Sequence, residues 1–316
     1  MRTVIHVGIA KAASTYIQDT VLPRLIEVAL PFADGEGQRI LGAIALDDQL
    51  KFDDQGIMQE VRRRMTAVAS EKKIIAASSE GLTLLGGCDR RVRVQRLRRL
   101  FPDSDILFVI RRQDDLIRSF YGGAVNLGLN NFGMRRFPDI NSWLELTPRF
   151  APVRFVQNVH PLAAAAYHEI LREYVDVFGR PHVHVLLFEE FVRDKAAFAL
   201  AFASVLGQSE NQVLDLLYDE PKRQVIVDGK VTHKVSFSPL QKQSNVLSNR
   251  FAQRAIREVV PRLRPTLRTD LNEKWMQRIA EAFSEGNRWI AREFDLPLAQ
   301  YNYPGCGPAH PDREPS

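Results

Sequence analysis

Cysteine is nearly missing from this chain: Cys88 and Cys306 are the only two in 316 residues. Two thiols cannot build a disulfide framework or a zinc site, and their scarcity fits a reducing compartment. Long hydrophobic runs are missing too. No window approaches the ~18 uninterrupted apolar residues that a membrane-spanning helix needs, and the run LAAAAY at 162–167 is far too short. The opening MRTVIHVGIAK carries His6 inside its apolar run and stops at Lys11, unlike a signal peptide. A soluble, cytoplasmic protein is therefore expected. A dominant charge is also absent. Against 43 Lys+Arg stand 38 Asp+Glu, a net +5 too mild to call for nucleic acid. Among the bases lysine is the rare one, 10 against 33 arginines. Arginine grips oxyanions with a planar fork, although the codon bias of a GC-rich genome explains the surplus equally well.

What is present is ordinary globular material, 45% hydrophobic and 26% charged. At ~150 residues per domain the length allows one large domain or two small ones. Short apolar runs alternate with helical patterns. Strands are expected at Thr3–Val7, Lys73–Ala77, Asp105–Ile110 and His182–Phe188. Helices are expected over 15–30, Gly56–Ser70, Asp89–Phe101, from the third strand's end to about Leu127, and over 161–177. Residues 31–56 read as a loop and 129–160 as an irregular cap. From Arg193 to Asp295 the pattern is mostly helical, broken by a loop at Asp219–Ser238. The alternation predicts an α/β fold, a parallel sheet flanked by helices with right-handed crossovers. One domain is expected over 1–303, followed by a Pro- and Gly-rich disordered tail over 304–316.

In such sheets ligands bind at the C-terminal ends of the strands, and three strand ends here are unusually polar. The first is Gly8-Ile9-Ala10-Lys11-Ala12-Ala13-Ser14-Thr15, a lysine, small residues and two hydroxyls ahead of a helix. Exposed N–H groups and the positive helix end make such a turn an anion cradle. It is not a Walker A loop, because the lysine precedes the small residues. A plain strand–helix turn capped by Ser14 or Thr15 is the alternative. The second is Ser78-Ser79-Glu80. The third is Arg111, with Ser119 eight residues on, about two turns into the next helix at ~3.6 residues per turn. Arg111 and Ser119 could converge on one phosphate. Equally, Arg111 could pair with Asp114 or Asp115 while Ser119 packs the helix.

Together these segments carry a resemblance. HVGIAKAASTYIQ resembles the 5′-phosphosulfate loop of sulfotransferases that use 3′-phosphoadenylyl sulfate (PAPS). FVIRRQDDLIRSFY resembles the same family's 3′-phosphate element. IIAASSE, LLFEEFVRD and NRWIAREFDLPLAQYNYP are similar, in the right order, to strand ends and the C-terminal ending of bacterial members. Three departures stand out. Ala10 replaces a Pro, Ala13 a Gly and Gln113 a Pro. If the turn requires positive φ at residue 13, the Ala13 methyl is strained there; if the turn is right-handed, it fits.

The resemblance implies a P-loop-type fold and an in-line sulfuryl transfer, driven by positioning and electrostatics. It implies that Lys11 neutralises charge on the leaving group. Ala12, Ala13, Ser14 and Thr15 would bind the 5′-phosphate, and Arg111 with Ser119 the 3′-phosphate. PAPS would be the donor, 3′-phosphoadenosine 5′-phosphate (PAP) the product, and no metal would be needed. The acceptor hydroxyl needs a base. Glu80 is the first choice, with His160 and His168 behind it. Glu80 could instead cap a helix or pair with an arginine, and both histidines could lie on a helix surface. Carbohydrate or glycolipid acceptors are the commonest in the bacterial members, and a small natural product is the alternative. Lys230 and Lys234 could fold over the nucleotide, though a solvated loop is the simpler reading. The arginines of 90–99 could meet an anionic acceptor or a membrane surface, although such a run is more often a solvated face. Leu162, Ala166, Ile170 and Tyr174 have the spacing of a helix's core face. The competing classes are a P-loop-like nucleotide kinase, which the missing Walker A glycines oppose, and a non-catalytic nucleic-acid-binding protein. The arginine helix lacks the interleaved aromatics of the latter. Nothing in the sequence decodes the oligomeric state.

Overall fold

The apolar runs assemble, in a computed structural model of the chain, into a five-stranded parallel sheet ordered β2-β3-β1-β4-β5. The strands are β1 (Arg2–Val7), β2 (Val28–Ala29), β3 (Ile74–Ser79), β4 (Ser104–Ile110) and β5 (Val183–Leu187). The structure describes residues 2–68, 72–83, 89–126, 138–150, 161–219, 226–227, 230–232 and 266–307. β4 is buried along its whole length, as expected for a strand covered on both faces by helices. β1 is the centre, pairing with β3 on one side and β4 on the other. The chain order reverses direction there, which makes the C-terminal end of β1 the topological switch point, where α/β sheets take ligands.

Several stretches differ from the sequence reading. The helix expected over 15–30 is broken into one α turn (Ser14–Tyr16), a π turn (Ile17–Val21) and a 3₁₀ turn (Leu22–Arg24), and it ends in edge strand β2. Pro23 lacks the N–H that would continue it. The loop expected over 31–56 contains a helix, Gly35–Leu46, N-capped by Asp34, whose Oδ1 accepts from Gly37 N at 2.6 Å. Its glycines disguise it. Gly37 is there for space, since a Cβ at that position would lie 2.3 Å from the Phe32 Cα. The irregular cap expected over 129–160 contains the helix Ile140–Phe150, started by Asp139, whose Oδ1 accepts from Asn141 N at 2.9 Å.

The arginine helix is Arg90–Leu100, N-capped by Asp89. Its basic residues do not form a single solvated face. Arg93 and Arg96 are 1% and 2% exposed. Arg93 Nε donates to Ala45 O at 3.0 Å and its Nη1 to Leu82 O at 3.2 Å. Arg96 Nη1 donates to Asp47 O at 2.6 Å, and its guanidinium lies 3.7 Å over the Phe52 ring. Ala45 and Asp47 end the helix Gly35–Leu46. The last carbonyls of a helix have no partner within it and attract cations. Burial here follows from that need. The expected helix over 161–177 is two helices, Pro161–Ala164 and Tyr167–Phe178; of its expected core face Ala166, Ile170 and Tyr174 are buried, whereas Leu162, on the first short helix, is only half-buried.

The chain groups into two compact units. The first comprises Met1–Gln113, Leu162–Pro221 and Ile279–Ser316 and holds the parallel sheet; the second comprises Asp114–Pro161 and Lys222–Arg278. Each is assembled from separated stretches, so the grouping is not a cut into sequential domains. The second unit carries a small antiparallel sheet of Ile226–Val227, Lys230–Thr232 and Thr266–Arg268. Two of these strands fall where the sequence predicts the 219–238 loop. In the first unit, Pro304–Gly307 form turns rather than the start of a disordered tail, and 308–316 lie outside the described residues. Among the described residues, no helix is long and apolar enough to cross a membrane.

Candidate active site

The β1 strand ends at Val7, and the next six residues form a tight loop before the Ser14–Tyr16 turn. Two of them are left-handed: Lys11 has φ 71° and Ala13 φ 62°. Left-handed residues in such a turn tip successive backbone N–H groups toward one concavity, an anion-binding nest. The loop is closed from inside by Ala12 N donating to Ile9 O (3.2 Å) and Ser14 Oγ donating to Ile9 O (2.8 Å). Ser14 is buried and its hydroxyl proton is committed to the loop itself, whereas Lys11 and Thr15 are exposed. Thr83 Oγ1 ties the loop's first carbonyl, Gly8 O, at 2.7 Å. Gly8 has no room for a side chain: a Cβ would lie 2.8 Å from Ser14 Oγ and 3.2 Å from Glu80 Cγ.

That last contact places Glu80 against the loop. It follows β3 in a 3₁₀ turn, Glu80–Leu82, and is half-buried. Burial pushes its carboxyl above the ordinary glutamate value, and the positive charge of Lys11 partly opposes this. A carboxyl so placed is available as a proton acceptor nearer neutral pH. Behind it lies a polar line the sequence reading did not single out. His6 Nδ1 is 2.7 Å from Ser78 Oγ, which also accepts from Gln18 Nε2 at 3.0 Å. His6 is buried and its pKa falls to about 4 through burial, so it is neutral. These groups staple the π turn after the loop to the ends of β1 and β3.

Arg111 leaves the end of β4 and reaches the loop: its Nη1 donates to Lys11 O at 3.0 Å. Its guanidinium lies 4.4 Å over the Phe188 ring, just after β5. Of the aspartates that follow, Arg118 Nη1 engages Asp114 at 2.5 Å and Asp115 at 3.0 Å. Ser119 lies in the second turn of the helix Gln113–Asn126 and belongs to the second unit. His168 packs its ring on the C-terminal helix, where a Cβ on Gly286 would lie 2.3 Å from its Nδ1. His160 and Lys234 lie outside the described residues. So Lys11, Ala12, Ala13, Ser14, Thr15, Glu80 and Arg111 all follow the C-terminal ends of the three neighbouring strands β1, β3 and β4 in the first unit. Among the described residues, no group of three His, Cys, Asp or Glu side chains could hold a metal ion.

No protein-family model and no curated protein matches the chain. Solved structures do. A sulfotransferase from Alicyclobacillus acidocaldarius superposes with a TM-score of 0.57 at 18% identity, over 95% of this chain and 98% of that one. A mouse sulfotransferase complexed with PAP gives 0.47 at 10% identity, over 95% and 88% of the two chains. The sulfotransferase domain from the curacin biosynthetic pathway gives 0.39 at 13% identity, over 72% and 80%. The first of these likenesses establishes the fold, a P-loop-type parallel sheet flanked by helices. The other two are too loose to add to it.

Proposed function

We propose that the chain is a sulfotransferase, moving a sulfuryl group from PAPS to a hydroxyl of a carbohydrate or glycolipid, in the cytoplasm. A small natural product is the alternative acceptor. One observation carries the reading: the strand-end Arg111 and the loop Lys11 meet at the switch point, joined by the 3.0 Å bond from Arg111 Nη1 to Lys11 O. The residues fit the donor nucleotide. The left-handed backbone at Lys11 and Ala13 offers N–H groups to a 5′-phosphate. Arg111 presents a fork of donors that can hold a loop carbonyl and a 3′-phosphate oxygen together. Ser119 is assigned to the same phosphate by its spacing alone. When bound, the nucleotide supplies the sulfuryl group and a phosphate leaving group.

The chain's own residues do the rest. Lys11, exposed at the loop's crest, neutralises negative charge that develops on the leaving oxygen. Glu80 takes the proton of the acceptor hydroxyl, its raised pKa bringing it closer to the working pH. The loop and Arg111 hold the two reactants in line. Two cationic side chains supply the electrostatic stabilisation that a metal supplies in phosphoryl transfer.

Calorimetric titration with PAP against plain AMP tests this. A clear preference for PAP, lost in Arg111→Ala, is expected; equal affinities would overturn the assignment. Lys11→Ala should keep part of the PAP affinity yet lose turnover, and full activity in that variant would refute its role.

A further inference from the structure

Arg111 stands on an unusually well-held stretch of backbone. Its carbonyl accepts from Tyr167 OH at 2.7 Å. The next residue, Arg112, donates its N–H to Glu189 Oε1 at 2.9 Å, and the other carboxylate oxygen accepts from Tyr303 OH at 2.7 Å. Glu189 is 6% exposed and Tyr303 1%. The residue after that, Gln113, pairs its amide with Asn287, giving to Oδ1 at 2.6 Å and receiving from Nδ2 at 3.2 Å. Asn287 Nδ2 also reaches Pro304 O at 2.9 Å. Residue 113 is thus gripped by the C-terminal segment directly, and residue 112 through Glu189, which Tyr303 holds.

That segment is itself stiff. Tyr303 N donates to Leu298 O at 3.1 Å and Cys306 N to Tyr303 O at 3.0 Å. Gly305 turns at φ 77°, where an added Cβ would lie 2.3 Å from the Ser284 side chain. A buried carboxylate is expensive unless its oxygens are bonded. Here one oxygen fixes the backbone beside Arg111 and the other fixes the tyrosine. A buried apolar pair would hold the last helix to the sheet as well, so burying this charge is better explained by a need for a defined backbone at residues 111–112.

We infer that Glu189 and Tyr303 are positioning residues of the nucleotide site, fixing the backbone from which Arg111 reaches a 3′-phosphate. This rests on the nucleotide assignment of the preceding section. A residue that merely held the helix in place would change stability and leave nucleotide selectivity alone. The ratio of PAP to AMP affinity is therefore the readout, measured by calorimetry on the full chain, with a thermal melt on each variant. Tyr303→Phe removes one hydroxyl and should lower that ratio about five- to tenfold, the worth of one ordinary hydrogen bond felt at one remove from the phosphate, with AMP affinity unchanged. Glu189→Ala should lower it further. Glu189→Gln keeps an acceptor for Arg112 N–H and a partner for Tyr303, and should restore it. Should Glu189→Ala fail to fold, Tyr303→Phe decides alone. An unchanged ratio in Tyr303→Phe overturns the inference while the nucleotide assignment survives; no PAP preference in the unaltered protein overturns both.

Discussion

Ala13 sits at φ 62°, ψ 9°, a left-handed conformation at the N-cap of the turn after the loop. An L-residue pays roughly 1–2 kcal/mol there because its Cβ crowds the following carbonyl oxygen. Glycine does not, so Ala13→Gly removes that strain. Two terms oppose the gain. The glycine frees the unfolded chain, worth roughly 0.4–1 kcal/mol. The half-buried methyl also gives up part of the ~0.8 kcal/mol of a fully buried one. The balance is a small stabilisation, about 0.5 kcal/mol. Ala12, its neighbour, is fully buried and is not among the positive-φ residues. Ala12→Gly carries both penalties and no relief, and should destabilise by about 1–2 kcal/mol. Urea denaturation reads both variants as shifts in midpoint at constant slope. The opposite signs are the test. If Ala13→Gly destabilises as much as Ala12→Gly, the left-handed strain at Ala13 does not exist.

Two further outcomes follow from the same geometry. Burial holds the Glu80 carboxyl above its ordinary 4.5, with Lys11 opposing. The folded protein thus binds this proton more tightly than the unfolded chain, and stability declines as pH rises from the ordinary glutamate value through the folded one. Glu80→Gln should flatten that stretch of the stability–pH curve, and Lys11→Ala, by removing the opposing charge, should extend it to higher pH; superimposable curves for all three proteins would refute the pairing. The acid limb of kcat/KM should likewise fall above 4.5. Separately, Arg93→Met keeps the apolar stem but removes the guanidinium that donates to Ala45 O and Leu82 O, the latter keeping the Tyr174 hydroxyl at 3.2 Å. At about 1.5–3 kcal/mol for a hydrogen bond made by a charged group, a loss of roughly 1.5–3 kcal/mol is expected in chemical denaturation. Arg91→Met, at an exposed position of the same helix, should stay within about 0.5 kcal/mol. Equal losses in the two variants would show that Arg93 does not cap the neighbouring helix.

The sheet was the legible part, and for a physical reason. Strands covered on both faces run apolar without interruption, as β4 does from Ser104 to Ile110 apart from its first two residues. The loop and the strand-end arginine were legible because lysine and arginine are unusual at the close of apolar strands. What periodicity cannot show is where backbone groups lack partners. The Gly35–Leu46 helix was hidden by glycines, one of which is there for space. Its open C-terminal carbonyls in turn explain why Arg93 and Arg96, on a helix that reads as a basic face, are buried instead. The Glu189–Tyr303 bond joins residues 114 apart in sequence, beyond the reach of any local pattern; its one sequence signal was that LLFEEF and QYNYP each fell inside a segment of the family resemblance. The arginine surplus therefore divides by the acceptor each guanidinium meets. Arg93 and Arg96 answer helix carbonyls, Arg118 answers carboxylates, and Arg111 reaches the Lys11 carbonyl at the strand ends. Of these four, Arg111 is the one set at the switch point beside a left-handed loop. Its place, rather than the number of arginines, argues for an anionic nucleotide.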